Sequence, residues 1–433
     1  MSILNEHGRH GSSSADDDYQ IEKSLVFQDT NSPYLHRTPS SNGNKRTWTL
    51  STWCKLGDAH SGTAHMTLFA AASVYQTFFM FRNASGFECV VGNGSNAGYT
   101  AITSAVFRDY SAWYHVVVAI DTTNGTAADR MKIYINGVRQ TDFSHNAIAN
   151  IPQNFDTCVN HTSHQMRVGA NNTNSNFMDG LLAEYHFIDG QALTPSSFGE
   201  TDNAYGHWKP IKYAGTYGSG GYFLEFQNSG ALGTDTSGNS NNWTSTNLAA
   251  TDQMTDTPTN NVATWNNLFF RTTGATAGDK LVHSEGNTKV EASNNRVGHT
   301  CSTMMSSGKH YAEFAIAGGS SITGPGVVRA DWFAGYGQSY AHNYGGSYYG
   351  STGDRAYNST SDSQTAPGSN RIGIEVDFGG NEVTYFIVQS NGTRTQQGAT
   401  LTSSNGINFA GQYGGCLLYT SPSPRAATLS RMP

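Results

Sequence analysis

Apolar, β-branched and aromatic residues recur along this chain in short runs separated by Gly-, Asn- and Ser-rich turns. That spacing predicts many short strands and no long helix. The clearest instance is Trp113 to Asp142, WYHVVVAIDTTNGTAADRMKIYINGVRQTD. Two apolar runs, His115 to Ile120 and Met131 to Ile135, flank a polar insert, and the second stops at Asn136-Gly137, a pair that readily takes the φ > 0 values of a tight hairpin. Upstream, Leu25 and Phe27 alternate with polar neighbours, Tyr34 begins a further strand, and Trp48, Leu50 and Trp53 share another. Thr67 to Ala72, Phe78 to Phe81, Phe87 to Val91 and Tyr99 to Phe107 add four more, at the close spacing of a sandwich or jelly roll.

Residues 1–20 are polar, without a periodicity that could bury a face, and read as a flexible leader. From Thr201 to Asn261 the text shifts to Gly, Ser, Thr and Asn with one clear strand at Tyr222 to Phe226, predicting a linker that carries a small β element. Alternation resumes near Val262. The expected plan is therefore all-β: two antiparallel sandwiches, residues 21–200 and 262–415, joined by a linker over 201–261.

Composition sharpens this picture. The 433 residues suit two bodies, and only 13% are charged, while there are 48 Gly, 22 Tyr and 21 Phe. A net charge of -7 without a Lys/Arg cluster gives no electrostatic footprint for nucleic acid. No stretch approaches the roughly 18 apolar residues of a membrane span, and the N-terminal residues lack the apolar segment of a signal peptide. The five cysteines, Cys54, Cys89, Cys158, Cys301 and Cys416, are scattered and odd in number, which argues for free thiols rather than a disulfide framework or zinc site.

Four sets of residues carry resemblances. The order Trp-Tyr-His, buried strand, Lys-Ile-Tyr-Ile-Asn-Gly-Val resembles the signature segment of laminin-G-like domains in the concanavalin A-like lectin/glucanase superfamily. The opening resembles such domains in structural proteins of marine tailed phages, through Ser24, Leu25, Phe27, Ser32, Tyr34, Leu35, Thr47, Trp48, Thr49 and Trp53, with Met178 to Tyr185 as the closing strand. The phrases Ser307 to Phe314, Phe333 to Gly337 and Arg371 to Phe378 are similar to strands of SPRY domains. Finally, residues 416–433 resemble the translated read-through of a sequencing adapter. That would leave the second sandwich truncated, without its closing strand and with an exposed edge.

These resemblances imply a phage virion protein of the tail-fibre type, binding a host-surface carbohydrate or protein through loops and contacting other virion proteins. It would be located in the virion and made in the host cytoplasm, with no cofactor, no nucleic-acid partner and no membrane insertion; fibre proteins are often homo-oligomers, although no heptad demands it here. The alternatives are a glycoside hydrolase of the concanavalin A-like glucanase type and a purely structural virion decoration.

Candidate chemistry divides accordingly. Glu375, Asp377 and Glu382 are the nearest match to a glucanase carboxylate motif, but Gly379-Gly380 breaks the strand and is expected to leave Glu382 out of register. Glu184 and Asp189 are expected on opposite faces of their strand. His115 reads as a packed residue, and His161 and His164 as loop histidines without a carboxylate. Asp235, Gly238, Asn239 and Asn241 could offer oxygens to Ca²⁺, yet turn-building explains them as well. Asn42-Gly43-Asn44 and Asn171 to Asn176 are weaker loop candidates. The favoured ligand-binding set is Tyr336, Tyr340, His342, Tyr344, Tyr348 and Tyr349, tyrosines on a Gly/Ser frame that offer flat apolar faces and hydroxyl donors at low entropic cost; a solvated loop or a subunit contact would use the same residues.

Overall fold

The computed structural model describes residues 19–57, 65–74, 76–82, 86–203, 206–262, 264–272, 281–284, 287, 289–292, 297–301, 308–315, 324–329, 345–348, 354–357, 360–368, 370–405, 407 and 415–420. Among them the ordered elements are β-strands and short 3-10 turns; there is no α-helix, hence none long and apolar enough to cross a membrane. The chain divides into two units, with the boundary after Asn261.

The first unit opens with β1 (Ser24–Phe27), β2 (Tyr34–Arg37), β3 (Thr47–Leu56), β4 (Met66–Ala71), β5 (Thr77–Phe81), β6 (Phe87–Gly92) and β7 (Gly98–Thr103). There follow β8 (Trp113–Asp121), β9 (Met131–Ile135), β10 (Val138–Arg139), β11 (Phe143–Asn146), β12 (Met166–Val168) and β13 (Gly180–Asp189). Five short strands come next: β14 (Gly199–Thr201), β15 (Trp208–Pro210), β16 (Tyr222–Leu224), β17 (Thr244–Thr246) and β18 (Gln253–Met254). Sheet I has the order β10-β9-β8-β3-β13-β1-β18, with β16 also on β13; sheet II has the order β11-β7-β6-β5-β4-β12-β2-β17.

Alternation explains the packing. On β3, Trp48, Leu50, Cys54 and Leu56 face the core, while sheet II contributes Phe69, Phe79, Phe87 and Val168. Trp48 sits at the middle, 5.5 Å from the Phe187 ring and 5.9 Å from that of Phe79. The Asn136-Gly137 hairpin forms as the dipeptide predicts, both residues at positive φ and Val138 opposite Ile135.

Two departures from simple periodicity matter. First, β13 carries a bulge: Ala183 pairs with Trp53, but the next pair is His186 with Ser51. Glu184, at φ 50°, absorbs the extra residue, so Leu182, Tyr185 and Phe187 all reach the core. Tyr185 then donates its hydroxyl across the sandwich to the Leu68 carbonyl at 3.0 Å.

Second, residues 201–261 do not run free as the expected linker. Their strands β16, β17 and β18 pair with β13, β2 and β1, and Tyr222, Leu224, Phe226, Leu232 and Trp243 are buried in the core. Burying that apolar area at about 25 cal/mol per Å² outweighs the polar composition that suggested a tether. The β14–β15 hairpin and its flanks cover the outer side of sheet I, where Phe198 packs with Val117, Tyr134 and Ile188, and Trp208 against the Trp53–Trp113 cluster.

The second unit contains β19 (Trp265–Thr272), β20 (Leu281–Ser284), β21 (Lys289–Ala292), β22 (Val297–Cys301), β23 (Lys309–Ala315), β24 (Gly324–Arg329) and β25 (Gly345–Tyr348). It continues with β26 (Asp354–Tyr357), β27 (Thr360–Ser363), β28 (Arg371–Asp377), β29 (Glu382–Val388), β30 (Arg394–Gln396) and β31 (Gly415–Thr420). A sheet β19-β22-β31-β24-β25-β26-β27 and a sheet β23-β28-β29-β30 share a core that includes Trp265, Phe314, Val327, Ile372, Ile374 and Tyr385. The expectation of a missing closing strand is corrected here. Residues 415–420 form β31, laddered between β22 and β24, because Cys-Leu-Leu-Tyr-Thr has the β-prone composition a central strand needs.

Candidate functional site

Register defines which side chains share the outer face of sheet II in the first sandwich. Thr244 lies opposite His36, His36 opposite Arg167, Arg167 opposite Ala70, Ala70 opposite Phe78, and Phe78 opposite Val90. A parallel row runs Thr67, Met80, Glu88, Ile102 and His145. The middle of this face is apolar, with Phe78 and Ile102 half-buried and Met80 and Val90 nearly covered by their neighbours.

Its two ends are polar and built differently. At one end the Arg167 guanidinium lies 4.4 Å from the Tyr34 ring centroid, and the Tyr34 and His36 rings are 5.6 Å apart. Arg167 donates Nε–H to Gln165 Oε1 at 2.8 Å and Nη1–H to the Asn171 carbonyl at 3.0 Å and Asn174 Oδ1 at 2.6 Å. The Asn171–Asn176 loop is thus the brace that orients this arginine, its own turn closed by Asn171 Oδ1, which accepts from Thr173 N–H and Ser175 N–H. Partial burial, with Arg167 nearby, pushes the His36 pKa below its ordinary value and keeps the ring neutral at physiological pH. At the other end Glu88 pairs with Arg82 at 3.1 Å. Glu88 is the one carboxylate that register places on this face among the described residues, and an arginine holds it. Among the described residues register places no second carboxylate beside Glu88 on this face.

The outer side of sheet I holds a second polar network, closed over by its own chain. His115 is buried between Trp53, whose ring centroid is 4.7 Å away, and Trp208 at 6.1 Å. Trp208 Nε1–H donates to His115 Nδ1 at 2.9 Å, and His115 Nε2 lies 2.8 Å from Ser51 Oγ. Because an indole can only donate, Nδ1 must be the acceptor, so Nε2 carries the hydrogen and donates to the serine. The pair resembles a nucleophile and base in composition but has the wrong tautomer to take a proton from Ser51. Burial, reinforced by His186, lowers the His115 pKa to about 3. Beside it Glu184 accepts from Tyr19 O–H at 3.0 Å and meets His186 Nε2 at 3.1 Å, while His186 Nδ1 meets Tyr217 O–H at 2.9 Å. Burial and the Glu184 charge raise both tyrosine pKa values.

The remaining candidates resolve as follows. Asp189 accepts N–H groups from Asn44 at 2.7 Å, Asn160 at 3.0 Å and Gly220 at 2.9 Å, so it pins loops together at one end of the sandwich, far in role from Glu184. Asp235 likewise accepts from the backbone of Phe223, Ser237 and Asn241, which makes it the organiser of a turn. The His161 and His164 rings lie tilted against each other with centroids 4.6 Å apart, and the described residues hold no group of three or more metal-type ligands. In the second unit the register expectation is corrected: the β28–β29 hairpin places Asp377 directly opposite Glu382. Asp377 is nonetheless engaged, by Lys309 Nζ at 2.8 Å and by the Gly379 and Gly380 amides, which together lower its pKa. Of the tyrosine set, Tyr336, Tyr340, His342, Tyr344 and Tyr349 lie outside the described residues, and Tyr348 is the last residue of β25.

One family model matches the first sandwich. Residues 29–198 match the laminin-G-type family model described as the concanavalin A-like lectin/glucanases superfamily. No curated protein sequence matches the chain. Among solved structures, the chain is similar to the LG1–3 region of the laminin α2 chain (8% identity, TM-score 0.34, covering 96% of this chain and 61% of that one). It is also similar to the TRIM65 PSpry domain (12% identity, TM-score 0.29, covering 39% and 92%). A third is tailspike protein 2 of the Escherichia coli O157:H7 bacteriophage CAB120 (11% identity, TM-score 0.29, covering 43%), of which this chain spans only 28%. The first sandwich has the laminin-G/concanavalin A-like fold, one typical of carbohydrate or protein binding.

Proposed function

We propose that this chain is a non-enzymatic recognition protein of a tailed-phage virion, part of a tail fibre or related appendage, that holds a host-surface carbohydrate on the outer face of sheet II. The observation that carries the binding site is the pairing of an apolar floor, Phe78, Met80, Val90 and Ile102, with a braced Tyr34–His36–Arg167 end. Sugar rings stack their C–H faces on such floors while hydroxyls take hydrogen bonds from fixed donors. The phage assignment is supported by the wording of the opening strands, Ser24 to Trp53, and the non-enzymatic assignment by the arginine-bound state of Glu88.

The full chain is tested on an array of bacterial surface polysaccharides and on intact host cells, alongside Arg167→Ala and a second variant with Tyr340 and Tyr344 both changed to Ser. Binding lost only in Arg167→Ala supports the sheet II site. Binding lost only in the tyrosine variant moves the ligand to the second sandwich. Reducing-sugar release from any arrayed polysaccharide, abolished by Glu375→Gln, would replace the proposal with a glycoside hydrolase.

A further inference from the structure

Three side chains that the binding surface does not use meet under the closing segment of the first sandwich. Lys55, on β3, is fully buried on the covered side of sheet I. Its Nζ lies 2.8 Å from Asp256 Oδ2 and 2.9 Å from Asn261 Oδ1. Trp113 Nε1–H donates to the other Asp256 oxygen at 3.1 Å, and Ser24 Oγ–H donates to the Asp256 carbonyl at 2.5 Å. Asn261 Nδ2–H donates to the Ser111 carbonyl at 3.2 Å, which fixes the plane of its amide. Around them stand Ile21, Val26, Trp53, Trp113, Leu181 and Ala183, an apolar shell.

An amine with no solvent exposure, a carboxylate on one side and a carboxamide on the other has the elements of an amide exchange reaction. Lys55 and Asp256 are shielded from water, Asn261 closes the site from its exposed side, and the fold itself supplies the proximity that a bimolecular reaction lacks. We propose that Lys55 and Asn261 join in an intramolecular isopeptide bond, with Asp256 as the proton carrier.

The step balances without any co-reactant. Asp256 takes a proton from the Lys55 ammonium, and the neutral Nζ adds to Asn261 Cγ, one C=O bond beyond the oxygen it already touches. The Nζ–Cγ bond forms and the Cγ–Nδ2 bond breaks. Both protons lost by Nζ pass through Asp256 to the departing nitrogen, which leaves as ammonium; the lysine charge goes with it and Asp256 ends as it began. The reaction also removes a buried charge whose desolvation a salt bridge offsets poorly.

Placement gives the bond a purpose. Asn261 is the last residue of the first unit, and Thr259, two residues earlier, accepts the Ile21 N–H at 2.9 Å, so the entry and exit of the sandwich lie side by side. An isopeptide from Asn261 to the central strand β3 would fasten that exit covalently.

The test is intact-mass spectrometry of the full chain, purified folded and then denatured, followed by peptide mapping. The expected result is a chain one ammonia lighter than its sequence, with a branched peptide joining Lys55 to Asn261. Lys55→Met and Asn261→Ala should each restore the full mass; the second alters an exposed residue and leaves the Lys55–Asp256 pair intact, so it guards against a folding failure in the first. A wild-type chain at its full sequence mass overturns the proposal. So does the loss of one ammonia mapped to Asn136-Gly137 or another cyclised asparagine, or the loss of one water mapped to a Lys55–Asp256 bond.

Discussion

The two outer faces of the first sandwich are built alike and finished differently. Both present an alternating set of side chains away from the shared core. On sheet I the chain returns to cover them: Phe198, Trp208, Tyr213 and Tyr217 lie over Val117, Tyr134, Ile188 and the buried His115 and His186. On sheet II two comparable rows, His36 to Val90 and Thr67 to Ile102, lie open, with a loop bracing the Arg167 end. The difference teaches where stability and recognition are separated. Polar groups on the closed face are satisfied by each other, whereas Tyr34 and His36 on the open face remain partly exposed.

Changes on either face therefore break different properties. The largest effect is expected from Trp208→Ala, which removes a large ring from the closed face and leaves His115 Nδ1 unpaired. Equilibrium urea unfolding should register a loss of about 3 kcal/mol, with ligand binding on sheet II unchanged in the folded fraction. Next comes acid sensitivity. His115 is held near a pKa of about 3 when folded and returns to about 6.5 when unfolded, so the unfolded chain binds the extra proton between those values. Stability on this account falls as pH drops from about 6.5 toward 3, by up to about 1.4 kcal/mol per pH unit. Urea titrations at stepped pH should show that slope reduced in His115→Gln.

On the open face, Arg167→Ala should weaken carbohydrate binding by about tenfold, measured by calorimetry, since it removes a cation–π contact and releases the Asn171–Asn176 brace. The smallest change in stability belongs to Phe78→Thr, about 0.5 kcal/mol on a half-buried site, accompanied by a clear loss of affinity. An open-face variant in which stability collapsed while affinity held would reverse the assignment of the two faces.

Most of the core strands were legible because their alternation is strong: Trp48, Leu50 and Cys54 on β3, or the run at Val116 to Ile120 ending in the Asn136-Gly137 turn after its partner strand. The segment after Thr201 was legible only in its strand at Tyr222 to Phe226. Its Gly, Ser and Asn residues build turns between that strand, Leu232 and Trp243, and isolated apolar residues in a polar text give no period from which their burial could be read. The bulge at Glu184 was also hidden, since the same letters fit an unbroken strand; Tyr185 facing the core was its consequence rather than its signal. The opposition of Asp377 and Glu382 depended on a tight turn at the Gly379-Gly380 pair that had been taken as a break.

The site on sheet II was missed for a related reason. Its residues come from β2, β12, β5 and β6, and at each place a single outward side chain reads as ordinary alternation. Arg167 over Tyr34 becomes visible only once β2 and β12 are known to be neighbours. Tyr336 through Tyr349, by contrast, stand close together in the sequence and are legible there as a cluster.

One feature of the first sandwich bears on mechanics. β1 and β18 run antiparallel, with Ser24 opposite Met254 and Leu25 opposite Gln253, and the chain enters and leaves beside this seam. Tension drawn through both ends would open it like a zip, one ladder bond after another, rather than shearing many together. Under such a load the sandwich would tear first at this two-residue strand, unless the exit is anchored by something stronger than hydrogen bonds.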